Sequence, residues 1–165
     1  MKSNPCAAFG CILAASLALS LAPAAQSQVA APPNESAKLV NLSELQWDEP
    51  PKGLPAGAKI VVLRGDPGKG SNLTLLLKLP KGYKLPPHWR AQGGQVTVVS
   101  GTVYLGVGET TDLEKAKLLQ TGGYAYLPAT THHYIVAREP AVVQLQTLGP
   151  LDLNYLNPAE DPRNK

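Results

Sequence analysis

Short apolar runs, each closed by glycine or proline, repeat along the chain from Leu39 onward. The run Lys59–Arg64 ends at Gly65-Asp66-Pro67-Gly68, and the run Leu73–Leu79 ends at Pro80-Lys81-Gly82. Runs of this length bounded by turn residues are typical of β-strands. The same pattern predicts further strands at Gln95–Ser100, Thr102–Val107, Ala116–Leu119, Gly123–Leu127, Tyr134–Ala137, Ala141–Leu148 and Leu151–Tyr155. Many short strands at near-regular spacing predict an all-β domain, built as a sandwich or a barrel.

Helix signals are almost missing from this pattern. Thr111–Lys117 is the segment that suits a helical turn, with Asp112 as its N-cap. Lys81–Lys84 carries two charges and a glycine, so we expect a solvated turn there. The chain is therefore predicted to hold one β-rich domain.

The first 24 residues have the pattern of a secretory signal peptide. Lys2 precedes a run of apolar and small residues from Ala7 to Ala22, and Ala22-Pro23-Ala24 suits cleavage. The run is shorter and richer in Ala and Ser than the ~20 apolar residues of a membrane anchor. We predict a signal peptide at 1–24, a flexible leader at 25–38, the β domain at 39–158 and a C-terminal tail at 159–165. The mature protein is expected to be secreted or periplasmic, with no membrane attachment after cleavage.

Composition narrows the classes of partner. The chain has a net charge of +3, but its basic residues are scattered among acidic ones, which does not indicate a nucleic-acid partner. Its two cysteines, Cys6 and Cys11, lie in the predicted signal peptide. The mature chain is thus expected to contain neither a disulfide nor a reactive thiol. Composition thus indicates neither a nucleic-acid partner nor thiol chemistry in the mature chain.

All three histidines lie in two short segments, Pro86–Arg90 and Pro128–His133. In a small β domain this clustering indicates a shared pocket. His88 and Arg90 have the same parity on an extended segment, so their side chains share one face and Trp89 takes the other. The two prolines before His88 cannot donate ladder hydrogen bonds, which suits a strand that enters at a sheet edge. If the shared face is the interior, His88 and Arg90 line a cavity.

The two segments resemble the sequence motifs of the cupin superfamily, and the chain is similar to small ChrR-type cupin domains. The first motif is matched by Gly82, His88-Trp89-Arg90, Gly94 and Gly101, separated by five, three and six residues. The second is matched by Gly122 or Gly123 and by Pro128–His133, with Thr130 in place of the usual glycine. The resemblance runs from about Trp47 to Pro158 and implies a single cupin-like jelly-roll β-barrel. Because many cupins pair through strand edges, it also implies a homodimer.

Metal-containing cupins hold a divalent cation with three histidines and one glutamate. Carried over by position, the resemblance places only His88 and His133 as metal ligands, because Arg90 and Gly94 occupy the positions of the second histidine and the glutamate. A guanidinium has no lone pair to donate and repels a cation. Gln95 is a substitute ligand only if the loop before it shifts its parity, and His132 is expected to face away. The expected cofactor is therefore either none or a weakly bound divalent metal.

Arg90 also suggests a function without a metal. A fixed guanidinium can replace the charge of the cation and offer a forked pair of donors to a carboxylate or phosphate. The leading hypothesis is a small-molecule-binding domain with a degenerate metal site, which holds an organic anion through His88, Arg90, His133 and Gln95. The alternative for Arg90 is that it extends to the mouth of the barrel and pairs with solvent or with a surface carboxylate.

An enzyme is the competing hypothesis. It is either a metal-dependent oxygenase or isomerase with an atypical ligand set, or a metal-free isomerase or lyase with His88 or His133 as general base. The sequence assigns no residue a catalytic role, because cupins carry many chemistries on one scaffold.

Overall fold

The structure, a computed structural model of the chain, describes residues 36–165. The predicted signal peptide and residues 25–35 of the predicted leader lie outside the described residues. Residues Val40–Lys165 form one compact unit. Across residues 36–165, no helix is long and apolar enough to cross a membrane.

Ten strands in the described part of the chain form two five-stranded antiparallel sheets. They are β1 (Lys59–Arg64), β2 (Asn72–Leu79), β3 (Tyr83–Trp89), β4 (Gly94–Ser100), β5 (Thr102–Val107), β6 (Lys117–Gln120), β7 (Tyr124–Leu127), β8 (His133–Ala137), β9 (Ala141–Leu148) and β10 (Asn154–Tyr155). The strand orders are β1-β2-β9-β4-β7 and β10-β3-β8-β5-β6. The predicted all-β jelly-roll fold is confirmed, with the refinement that the two sheets form a sandwich and do not close into one barrel.

The core lies between the sheets and is built from alternate strand residues. In β2, Leu73, Leu75, Leu77 and Leu79 belong to the core cluster, and the residues between them lie on the other face. The other core residues from strands follow the same rule, since a strand turns successive side chains to opposite faces. They include Ile60 of β1, Val96 and Val98 of β4, Val103 and Leu105 of β5, Leu127 of β7, Ile135 and Ala137 of β8, and Ala141, Val143 and Leu145 of β9.

Strand β3 breaks this rule and thereby positions the site. Tyr83 and Leu85 face the core, so unbroken alternation would turn 87 and 89 inward rather than 88. The pairing of β3 with β8 shifts register between Leu85 and His88, across the two prolines. This irregularity reverses the parity and turns His88 and Arg90 into the interior. The solvated turn predicted at Lys81–Lys84 is wrong in its second half, since Tyr83 is buried and begins β3.

Most other strand predictions agree with the structure, and β1, β5 and β9 have the predicted bounds. Leu151–Tyr155 is shorter than predicted, since only Asn154–Tyr155 pairs as a strand. The predicted helical turn at Thr111–Lys117 is a non-helical turn, in which Asp112 Oδ1 accepts a hydrogen bond from Glu114 N at 3.0 Å. Three-residue 3-10 helices lie at Leu42–Glu44, Pro158–Glu160 and Pro162–Asn164.

Candidate functional site

A cavity of about 40 Å³ lies between the two sheets. Nine of the twelve residues that line it are leucine, valine or isoleucine, and the other three are His88, Arg90 and His133. A water molecule needs roughly 10–15 Å³ of such space, so the cavity has room for about three waters. The sequence prediction that these three residues share one pocket agrees with this arrangement.

His88 and His133 face each other across β3 and β8. They are register partners, their ring centroids are 4.1 Å apart, and the rings are tilted by 54°. Each residue is only 2% exposed. The inward position of His133 follows from simple alternation, because Ile135 and Ala137 of the same strand also face the core.

Backbone carbonyls fix the tautomer of both rings. Nδ1 of His88 lies 2.9 Å from the carbonyl oxygen of Pro86, and Nδ1 of His133 lies 2.9 Å from that of Thr131. A carbonyl only accepts, so Nδ1 carries the proton and Nε2 keeps its lone pair in the neutral ring. Among residues 36–165, neither Nε2 has a hydrogen-bond partner.

Both imidazoles are held neutral at physiological pH. Burial lowers the pKa of His88 to about 3, and the neighbouring His133 adds to this effect. Burial also lowers the pKa of His133 to about 4, and the positive charge of Arg90 contributes. Desolvation disfavours the charged form of a histidine, which explains the direction of both shifts. The cavity therefore receives two acceptor nitrogens and no charge from its histidines.

Arg90 is a buried cation without a protein partner. It is 5% exposed, and its Nε is fully buried with no hydrogen bond. Within the described residues its side chain forms neither an ion pair nor a hydrogen bond. Burial lowers its pKa, and the negative charge of Asp152 acts in the opposite direction. The alternative that Arg90 pairs with a carboxylate at the domain surface does not agree with this burial.

Gly94 and Arg90 fit each other sterically. Gly94 is buried and has the parity of Val96, so its missing side chain would face the interior. A methyl group added to Gly94 would lie 2.5 Å from Nη2 of Arg90 and 3.2 Å from the backbone oxygen of Gln146. The guanidinium thus occupies the space in which a side chain at position 94 would begin. The two departures from the cupin motif are therefore sterically linked, because the position of Arg90 requires a glycine at 94.

The structure does not bring Gln95 or His132 to the cavity. Gln95 is exposed and lies on the outer face of β4, in a separate groove. Gln95 was predicted as a ligand only if the loop before β4 shifted its parity and turned it inward. β4 shows no such shift, so the prediction of Gln95 as a ligand beside His88 is corrected. His132 is partly exposed, and its Nδ1 lies 3.4 Å from Glu109 Oε1, as expected for a residue facing away from the pocket.

Several residues of the site have no clear sequence signal. Leu54, Leu151 and Leu153 complete the cavity wall from segments outside the long strands. Between the two C-terminal leucines, Asp152 accepts a hydrogen bond from Ala91 N at 2.9 Å, next to Arg90. The alternation of apolar and polar residues at 151–154 is the only hint of an inward face there.

Thr130 stands where the second motif usually has glycine, and its backbone conformation explains that preference. Its φ is +60°, a conformation that favours glycine and is strained for a β-branched residue. Its N–H donates to the carbonyl oxygen of Arg90 at 2.8 Å, which ties the loop before β8 to the end of β3. The strained backbone therefore helps to hold Arg90 near His133.

The donors at this site do not fit a tightly bound divalent metal. Among the described residues, no group of three or more His, Cys, Asp or Glu side chains is placed to hold an ion. Zinc sites in proteins use three or four protein ligands, whereas this cavity offers two imidazole nitrogens. The buried guanidinium of Arg90 adds electrostatic repulsion at the same place.

The chain is similar to one known protein family and to several solved structures. The family described as a domain of unknown function, DUF4437, matches residues 16–154. The chain belongs to the DUF4437 family. No curated protein matches the sequence of this DUF4437 domain.

Solved structures show which fold the DUF4437 domain has. It is similar to the polyketide cyclase RemF from Streptomyces resistomycificus, with 14% identity, a TM-score of 0.61, and coverage of 77% of this chain and 90% of the other. An RmlC-like cupin from Shewanella frigidimarina has 15% identity, a TM-score of 0.53 and coverage of 68% and 91%. The DMSP lyase DddQ from Ruegeria pomeroyi has 17% identity, a TM-score of 0.52 and coverage of 65% and 57%. The predicted resemblance to cupins is confirmed for the fold, and these neighbours include enzymes.

Proposed function

We propose that this protein is an exported cupin-like domain that binds a small organic anion between its sheets, with Arg90 as the charged partner. One observation carries the proposal, namely a guanidinium that is 5% exposed and has no acceptor in the described residues. Burying an unpaired charge costs several kcal/mol. An anionic ligand removes that cost by supplying the missing acceptor. The signal-peptide pattern at residues 1–24 supports export.

The surroundings of Arg90 favour binding over turnover. A guanidinium and a carboxylate form a charge-assisted pair that strengthens where water is excluded. An acid–base enzyme has one supporting feature, the two unpaired Nε2 atoms of His88 and His133. Their pKa values of about 3 and 4 make both rings weak bases at neutral pH, far from the matched pKa of an efficient catalyst.

The test is the substitution Arg90→Met, which keeps an unbranched apolar stem and removes the guanidinium with its charge. The unfolding midpoint is measured with and without acetate, glycolate, phosphate and sulfate. We expect at least one organic anion to stabilise the wild type, by about 2.7 kcal/mol at 100 times its Kd. R90M should lose this response. Without ligand, R90M should be more stable than the wild type by about 1–3 kcal/mol, because an uncompensated buried charge is gone.

The matched control is Arg138→Met. Arg138 is exposed and stacks over the Tyr104 ring at 5.1 Å, outside the cavity. R138M should keep the full response to the anion. An undiminished response in R90M, or no response of the wild type to any of the four anions, would contradict the proposal.

A further inference from the structure

The polar atoms of the cavity divide into one donor group and two acceptors. Arg90 offers only N–H donors. His88 and His133 line the same cavity, and their protons are used by the carbonyl oxygens of Pro86 and Thr131. Each ring therefore has only the lone pair of Nε2 left. A carboxylate oxygen satisfies the arginine but repels these lone pairs, so a simple carboxylate leaves both imidazoles unsatisfied.

We propose that the ligand is a small hydroxy acid, whose carboxylate pairs with Arg90 and whose hydroxyl donates to Nε2 of His88 or His133. This inference rests on the proposed function and adds the chemical class of the ligand. A hydroxyl is a donor that also accepts, so it can donate to one ring nitrogen without leaving a proton unpaired.

The size of the cavity limits the carbon skeleton. Its volume of about 40 Å³ corresponds to about three waters. So small a space favours the smallest members of the class, of which glycolate is the simplest. A cavity of about 150 Å³ is needed for a ring such as benzene, so aromatic hydroxy acids are excluded.

The charge of the cavity limits the ligand to a single negative group. Among the described residues that line it, Arg90 is the one cationic side chain and none is Asp or Glu. A second carboxylate on the ligand would lie against Leu77, Val143 or Leu145, where a charge has no partner. The apolar wall instead suits a methylene or methyl group. The class is therefore a short monocarboxylate with one hydroxyl.

The experiment compares matched pairs of ligands by calorimetric titration of the purified protein. Glycolate is compared with acetate and lactate with propionate, since each pair differs by one hydroxyl. A satisfied hydrogen bond to a buried acceptor contributes about 1–1.5 kcal/mol, so glycolate should bind about tenfold more tightly than acetate. Mandelate and malonate test the limits of size and charge, and both should bind at least about tenfold more weakly than glycolate.

Substitutions of the arginine and of the two histidines separate this inference from the proposed function. Arg90→Met should weaken acetate and glycolate alike. His133→Leu and His88→Leu should instead reduce the advantage of glycolate over acetate while leaving acetate binding. His133→Gln, which keeps an acceptor, serves as a second variant if the leucine forms fail to fold.

The outcomes are distinguishable. If acetate binds as tightly as glycolate in an Arg90-dependent manner, the hydroxy-acid inference is overturned and the anion-binding function stands. If mandelate or malonate binds best, the limits of size and charge are overturned. If none of these anions binds the wild type, the proposed function fails as well.

Discussion

The inner and outer faces of β4 carry two very different regions of the molecule. The outer groove contains Gln95, Tyr126 and Gln146 and has a volume of about 440 Å³, whereas the inner cavity has about 40 Å³. The polar groups of the groove are open to water, which satisfies them at little cost. In the cavity, by contrast, Nε of Arg90 is fully buried and has no hydrogen-bond partner among the described residues. An unpaired buried charge therefore marks a candidate site better than size or polarity does.

The largest expected effect comes from converting the cavity from an anion site into a cation site. In the double variant Arg90→His with Gly94→Glu, the guanidinium leaves the space that the new glutamate needs. Together with His88 and His133, the variant has the three histidines and one glutamate of metal-containing cupins. We expect about one bound divalent metal per chain, against less than about 0.1 in the wild type, after supplementation with Mn, Ni or Zn.

Mass-spectrometric metal analysis of dialysed protein measures this change. R90H alone lacks the carboxylate and should retain much less metal. G94E alone should retain none, since the chain keeps the positive charge of Arg90, with which the new carboxylate would pair. Equal loading of R90H and the double variant would mean that position 94 does not complete the site.

The free energy of unfolding should respond to pH through the buried His133, and its surface neighbour His132 provides a control. The pKa of His133 is about 4 in the folded protein and that of an unfolded histidine is about 6.5, so below pH 6.5 the unfolded state binds more protons. The free energy of unfolding should therefore fall as the pH drops from 6.5 towards 4, by about 1.4 kcal/mol per pH unit for each buried histidine. Above pH 6.5 these histidines should not make the free energy of unfolding depend on pH.

Denaturant titrations between pH 5 and pH 7.5 measure this slope. His133→Gln should remove the contribution of one histidine, whatever its effect on absolute stability. His132→Gln is the control, because that ring lies at the surface beside Glu109. Equal slopes for H133Q and the wild type would show that His133 is protonated in the folded state.

The sequence predicted the fold and the positions of the site histidines for a clear physical reason. Turn residues close each strand, and two-residue alternation decides which face is buried. His133 follows this alternation, which also turns Gln95 outward. His88 does not follow it from Tyr83, and its inward position depends on the irregularity at the two prolines.

Other features of the site depend on tertiary packing that no local pattern contains. The sequence shows Arg90 and Gly94 as separate departures from a motif, but only the packed structure places Nη2 over the glycine. Leu54 and Leu153 come from segments about 100 residues apart, and they meet only once the sheets have packed.

Two adjacent residues of β4, one facing the cavity and one on the outer face, test on which side of the strand the anion binds. Gly94→Ala places a methyl group 2.5 Å from the present position of Arg90 Nη2, so the guanidinium must move. Because a displaced partner loses its ideal geometry, we expect anion affinity in calorimetric titrations to fall about tenfold, which is 1.4 kcal/mol. Gln95→Ala, one residue along on the outer face, should leave affinity unchanged and alter stability by no more than about 0.5 kcal/mol. A loss of affinity in Q95A equal to that in G94A would move the anion site out of the cavity and into the outer groove.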